Sequence, residues 1–172
     1  MLLIAKSLKD LDFRQLMNVY EEGNLENARE SFSQLPLGQA VLEAEQDFYA
    51  YLKDTFFATP GAFYGIWTVD GKYVSALRLE PYRDGWLVEA VESAPSQRRR
   101  GYAAALMAQA LTYLGQGKVY SHIHKANTAS LELHQHCGFC RISDRAVYID
   151  GSVNNRCATY FLDMGDSVCQ NN

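Results

Sequence analysis

At 172 residues, with 48% hydrophobic and 21% charged residues, the chain has the make-up of one globular domain large enough to bury a core. A net charge of −4 argues against wholesale nucleic-acid binding. No apolar run reaches the roughly 18–20 residues of a membrane span, and Met1–Ala5 is too short for a signal-peptide core. The expectation is a single cytoplasmic domain over residues 1–172, with neither membrane nor nucleic acid as partner.

Met1–Ala5 reads as a first strand. Leu8, Leu11, Phe13, Leu16, Met17 and Tyr20 follow at helical spacing, so the pattern predicts a helix over Leu8–Tyr20. Asn24–Phe32 is polar and reads as a loop or a short helix. Gln39–Phe57 again has helical register, ended by Thr59-Pro60-Gly61. Three β-rich runs come next: Ala62–Val69, Lys72–Glu80 and Gly85–Ser93. The Asp70-Gly71 and Pro81–Asp84 connections are short enough to make all three antiparallel. Gly101–Leu114 is a helix with Leu106, Met107, Ala110, Leu111 and Leu114 on one face. Lys118–Ile123 reads as a strand, and Asn127–Cys137 as a short helix capped by Asn127. Phe139–Ile149 and Arg156–Asp163 form a final hairpin about Asp150-Gly151-Ser152. The predicted order, β-α-α-β-β-β-α-β-α-β-β, describes an α/β domain with a mixed sheet.

One junction in this order has a chemical reading of its own. Leu87–Val91 is β-prone, Ala94-Pro95-Ser96 breaks it, and Gly101 opens an alanine-rich helix, with Arg98, Arg99 and Arg100 between them. A strand feeding a helix start turns backbone N–H groups outward, with the positive end of the helix dipole behind them. That arrangement suits a phosphate or pyrophosphate, and the arginines add fixed positive charge. A solvated charge run would explain the arginines as well.

The cysteines are Cys137, Cys140, Cys157 and Cys169, expected as free thiols in a cytoplasmic protein. Cys137-Gly138-Phe139-Cys140 has the spacing of a redox pair or half a zinc site, with His134 and His136 before it and His122 and His124 earlier. A helix end, a glycine and a strand start explain the same residues, and no metal is expected.

The element order and two motifs resemble the GNAT superfamily of acyl-CoA-dependent N-acyltransferases. The family's pyrophosphate loop has arginine or glutamine, two further residues, glycine, any residue, then glycine or alanine. Arg98-Arg99-Arg100-Gly101-Tyr102-Ala103 fits it, with Pro95 ahead at the usual spacing. The second motif runs from an asparagine through a small residue to a Gly-Phe pair, here Asn127, Ser130, Leu133 and Gly138-Phe139. The likeness covers about Ala62–Asp163; residues 1–60 correspond to the family's variable, acceptor-side part. It implies a mostly antiparallel mixed sheet flanked by helices, splayed between the fourth and fifth strands. It also implies acetyl-CoA as acyl donor and an amine as acceptor, with a homodimer left open.

On this resemblance, Ser93 and the Arg98–Ala103 loop hold the donor. Asn127 and Ser130 are further contacts beside their helix-capping roles. Glu89 and Glu92 on the fourth strand are the candidate bases. Strict alternation would set them on opposite faces, unless a bulge of the kind common in the family brings both toward the cleft. The family usually has tyrosine as general acid where His134 stands. An imidazolium could take that role, and a packing histidine is the alternative. Tyr102, Tyr120 and Tyr148 are unranked substitutes. His122 is a candidate cleft residue, and Glu21 and Glu22 begin an acidic segment, with Glu26 and Glu30, suited to a cationic acceptor or simply to a solvated helix. Two other functions remain open: an acyl-CoA-binding module without turnover, and a zinc or thiol-redox protein.

Overall fold

The computed structural model describes residues 1–165; Cys169 lies outside them. Strand β1 (Leu2–Ala5) pairs antiparallel with β2 (Phe63–Val69), β2 with β3 (Lys72–Tyr82), and β3 with β4 (Gly85–Ser93). Beyond β4 come β5 (Lys118–His124), β9 (Cys157–Asp163) and β6 (Cys140–Ser143), in that order. Among the described residues only the β4–β5 pairing is parallel. This is the mixed, mostly antiparallel sheet expected from the sequence.

Alternation along the strands fills two cores. Phe63, Leu77, Leu79 and Val88 lie on one face, against Leu106, Met107 and Ala110 of α4 (Tyr102–Leu114). Tyr64, Ile66 and Ala76 lie on the other, beneath Leu16 and Val19 of α1 (Phe13–Val19). Leu52 and Phe56 join them from the wider helical turn, Leu52–Phe56, that extends α3 (Leu37–Tyr51). Each large side chain fully buried in this way contributes about 1.5–3 kcal/mol. The polar stretch read as loop or helix is α2 (Glu21–Ser31), which packs on α3 through Ala28, Ala40 and Ala44. In α5 (Thr128–His136) the Asn127 side chain caps as expected, accepting the Ser130 N–H at 3.0 Å.

Two expected elements are divided. Leu8–Tyr20 is a single turn at Leu8–Asp10 followed by α1, because Asp12 takes the N-cap position and accepts the Gln15 N–H at 3.1 Å. Phe139–Ile149 is not one strand. After β6 the chain turns, and β7 (Ala146–Val147) pairs with β8 (Val153–Asn154) as a separate ribbon. The Thr159 hydroxyl donates to the Arg145 carbonyl at 2.8 Å, and the Tyr82 hydroxyl donates to the Val147 carbonyl. Both bonds tie the ribbon to the sheet.

Two irregularities of β4 position the site. Its ladder with β5 stops at Val88, opposite Ser121, although β4 continues to Ser93 and β5 to His124. The strands therefore part, giving the expected splay. At its foot a β-carbon on Gly85 would come 2.1 Å from the Lys118 carbonyl oxygen, so glycine alone permits this approach. On the other edge, Ala76 pairs with Glu92 but Arg78 with Glu89, so Ala90 and Val91 together face Leu77. This is a β-bulge, with Ala90 at φ 49° and its carbonyl accepting the Tyr20 hydroxyl at 2.8 Å.

Candidate active site

The splay opens into a cleft of about 520 Å³ between β4, α4 and α5. Val91, Glu92 and Ser93 line it from β4, Ala103 and Ala104 from α4, and Asn127, Ala129, Ser130 and Leu133 from α5 and its cap. Arg98, Arg99, Gly101 and Tyr102 close its end. In the loop Arg99 (φ 60°) and Gly101 (φ 78°) are both left-handed. The first backbone bond of α4 runs from the Ala105 N–H to the Gly101 carbonyl, 3.0 Å. The N–H groups of Tyr102, Ala103 and Ala104 therefore face out of the helix end, where an anion would meet them. Nothing lies within 4 Å of a β-carbon built on Gly101; its positive φ is what favours glycine.

The three arginines do not act together. Arg98 reaches back, its Nη1 2.6 Å from Glu22 and its Nη2 3.9 Å from Glu92. Arg100 lines a different cleft, of about 930 Å³, beside Glu21, Pro95, Ser96 and Gln97. The sequence-based set of donor contacts is thus divided, with Arg100 set apart from Ser93, Arg98, Arg99, Gly101, Tyr102, Ala103, Asn127 and Ser130. Glu21 and Glu22, expected on the acceptor side, stand in the first turn of α2, where the helix dipole favours acids.

The bulge brings the two candidate bases to one face. Glu89 lies opposite Arg78 and Glu92 opposite Ala76, and Arg78 and Ala76 share a face by alternation. Glu89 is the first residue of β4 beyond its pairing with β5, at the apex of the splay. Its Oε2 lies 3.1 Å from Arg78 Nη2. Burial raises the Glu92 pKa, with Arg98 opposing and Glu22 and Glu26 adding to the rise.

His122 is the first residue of β5 beyond the pairing, and its ring is engaged. Nε2 lies 3.1 Å from the Val147 carbonyl and Nδ1 3.2 Å from Thr159 Oγ1, with Tyr82 and Tyr148 edge-on at 5.4 Å. Burial lowers its pKa, the backbone bond opposing.

His134 departs from the expected acid. It is 1% exposed and packs edge-on against Phe139, while Leu133 takes the cleft-lining place. Nδ1 lies 2.8 Å from the Ser130 carbonyl, so that nitrogen carries the proton, and Nε2 is buried without a protein partner. In the neutral ring Nε2 is then an acceptor, not a donor. Burial lowers the pKa, with the bond to Ser130 opposing, which removes the imidazolium that proton donation would need. The geometry is that of a packing histidine.

Among the described residues no three His, Cys, Asp or Glu side chains gather as a metal site. No helix among them is long and apolar enough to cross a membrane.

Two charged residues escaped the sequence reading. Arg78 and Glu80 alternate with the core residues Leu77 and Leu79 along β3 and lie on the same face of the sheet as Ala76. The Arg78 guanidinium lies over the rings of Tyr51 and Phe56, at 5.1 and 5.7 Å. Glu80 is 8% exposed. Their signal was available: two charges spaced i, i+2 in a strand covered on both faces need partners.

Residues 25–139 match the family model for acetyltransferases of the GNAT family. No curated protein matches the chain by sequence. Among solved structures, the PaiA N-acetyltransferase of Thermoplasma acidophilum, in complex with coenzyme A, superposes with a TM-score of 0.64 at 11% identity. The match covers 95% of this chain and 99% of that one. The ribosomal-protein-S18-alanine N-acetyltransferase of Escherichia coli gives 0.62 at 15% identity, covering 100% of this chain and 99% of the other. At such identities these likenesses speak for the fold.

Proposed function

Because the chain belongs to the acetyltransferase (GNAT) family, we propose that it moves an acetyl group from acetyl-CoA to a primary amine of a small molecule or peptide, by direct transfer with Glu89 as base. The observation that carries this reading is the placement of Glu89 at the apex of the splay, where β4 and β5 part. The thioester of acetyl-CoA supplies the acyl carbon, to which the amine nitrogen bonds as the C–S bond breaks; the nitrogen then loses a proton to give the amide, and the CoA thiolate leaves and is protonated.

The chain's own residues fit the other tasks. Outward N–H groups of the Tyr102–Ala104 turn, with Arg99 and Arg98 beside them, suit the pyrophosphate. The unpaired edge of β4 at Val91–Ser93 suits the amides of an extended pantetheine arm, added like a strand. The neighbouring structure with bound coenzyme A supports donor binding in this fold. An amine attacks only when neutral, so the ammonium must first lose a proton, and Glu89 Oε accepts it. Glu22, Glu26 and Glu92 give the adjoining rim negative charge, which favours a cationic acceptor.

The test is thiol release from acetyl-CoA with a panel holding a polyamine, an aminoglycoside and a lysine peptide. Release that depends on one of these amines is expected. Failure of CoA to bind in calorimetry would overturn the reading. A second reading, an acyl-CoA-binding module without turnover, draws on the missing donor at His134. It requires CoA binding with no amine-dependent thiol release.

A further inference from the structure

Glu89 is ion-paired, 3.1 Å from Arg78, and the same face of the sheet carries a second carboxylate. Glu80 pairs across β3–β4 with Leu87, two residues from Glu89, which makes Glu80 and Glu89 diagonal neighbours on one face. The charge of Glu89 is therefore felt at Glu80. Arg78 sits beside both, fixed over Tyr51 and Phe56.

The charges here do not cancel. Tyr64 on β2, Tyr51 on α3, Tyr20 at the α1–α2 junction and Tyr148 beyond β7 are the other titratable groups around the cluster, all neutral near pH 7. That leaves one arginine against two carboxylates, of which Glu80 is almost wholly buried. Ionising both requires a second negative charge in a desolvated place beside the first, so the pair keeps a proton to higher pH than either would alone. Burial, then the charge of Glu89, pushes Glu80 up to about 7, with Arg78 opposing.

Resting on the N-acetyltransferase reading above, we propose that Glu80 and Glu89 form a proton-sharing carboxyl pair, in which Glu89 takes the proton of the acceptor's ammonium group and Glu80 holds it. An N–H bond of the ammonium breaks as an O–H bond forms on Glu89. The proton then passes to Glu80, from which solvent removes it. Glu89 is the catalytic residue and Glu80 the positioning residue behind it. Arg78 keeps the pair oriented and limits it to one shared proton.

The test has an arm independent of activity. Carbon NMR of protein labelled at the glutamate carboxyl carbon, followed from pH 4 to 9 without ligand, should show one carboxyl with a midpoint near 7. Glu80→Gln should remove that titration, and Glu89→Gln should move it to lower pH. Absence of any glutamate midpoint above about 6 in the wild-type protein would overturn the pair. In the kinetic arm, kcat/KM is followed against pH with the fastest-acetylated amine of the panel. The wild-type acid limb should fall near pH 7. In Glu80→Gln it should move lower, because Glu89 loses its like-charged neighbour, and the plateau should drop about tenfold. An unchanged acid limb in Glu80→Gln would overturn the proton-holding role even if the titration is found. If no amine is acetylated, the acetyltransferase reading fails and takes the catalytic role with it; the carboxyl titration still decides the pair itself. Glu80→Asp, which keeps the charge, guards against misreading a folding defect: it should retain a raised midpoint, and its loss there would count against the pair.

Discussion

Glu89 and Glu92 are three residues apart on one strand, yet both lie on one face of the sheet, opposite Arg78 and Ala76. The Ala90–Val91 bulge adds the residue that makes this possible. The conformation has a cost, since Ala90 sits at φ 49°, where a β-carbon is crowded, at roughly 1–2 kcal/mol. Ala90→Gly should therefore stabilise the fold by about 0.5–1 kcal/mol after loss of the methyl packing, raising the melting temperature by roughly 1–4 °C. Ala90→Val should do the reverse and by more. A thermal melt of the two variants decides it, and a less stable glycine variant would contradict the strain.

The Arg98–Ala103 loop was legible because its requirements are local: small residues, a left-handed glycine and a strand-to-helix junction all lie within one short stretch. The two core faces were legible for the same reason, from alternation in β3 and periodicity in α4. The cluster around Arg78 and Glu89 was not. Arg78 meets Glu89 only through a register that the bulge shifts, and the Arg98–Glu22 pair joins residues far apart in the chain. Strict alternation would have separated Glu89 from Glu92. His134 looked like a replacement for tyrosine because nothing local shows its Nδ1 committed to the Ser130 carbonyl. Irregular backbone and long-range ion pairs are the features that a periodic reading passes over.

Arg98 is held by Glu22 before any donor arrives, in an ion pair that is partly solvent-exposed. Such a pair contributes roughly 0–1 kcal/mol, so Glu22→Gln should leave the melting temperature almost unchanged. It should also release Arg98 toward the cleft and tighten CoA binding about two- to fivefold. Arg98→Ala should weaken CoA binding about three- to tenfold, more at low salt than at high, since the contact is charge to charge. Calorimetric titrations at two salt concentrations give both results. A tighter complex from Arg98→Ala would show that the loop N–H groups bind better without it.

His134 and Glu80 should pull stability in opposite directions with pH. Burial lowers the His134 pKa, so its contribution is fully present above the unfolded value of about 6.5. As pH falls below that, the unfolded chain takes a proton that the native ring refuses, and stability is lost. Glu80, raised to about 7, contributes most below the unfolded carboxyl value and loses that contribution as pH rises through 7. His134→Phe should thus show a smaller drop in melting temperature from pH 7.5 to 5.5 than the wild type. Glu80→Gln should show a gain at pH 8 relative to the wild type that shrinks toward pH 5. Parallel melting curves across this range for wild type and both variants would refute the assignment.

The two β4 glutamates should separate in kinetics. Glu89 stands at the apex of the splay, whereas Glu92 lies farther out, beside Arg98 and in the lining of the donor cleft. If Glu89 accepts the ammonium proton, Glu89→Gln should lower kcat/KM by about 10²–10⁴ with CoA affinity nearly unchanged. Glu92→Gln should cost less than about tenfold and act mainly on KM for a cationic amine, because it removes rim charge rather than the base. The glutamine at 89 leaves Arg78 half-buried with a neutral partner, so a melting curve must accompany the rates. Raising the pH distinguishes the two losses further. A missing base is partly compensated as more of the amine becomes neutral in solution, so Glu89→Gln should recover as pH climbs toward the amine's own pKa, while Glu92→Gln should not. A larger rate loss in Glu92→Gln than in Glu89→Gln would move the base three residues outward along the strand.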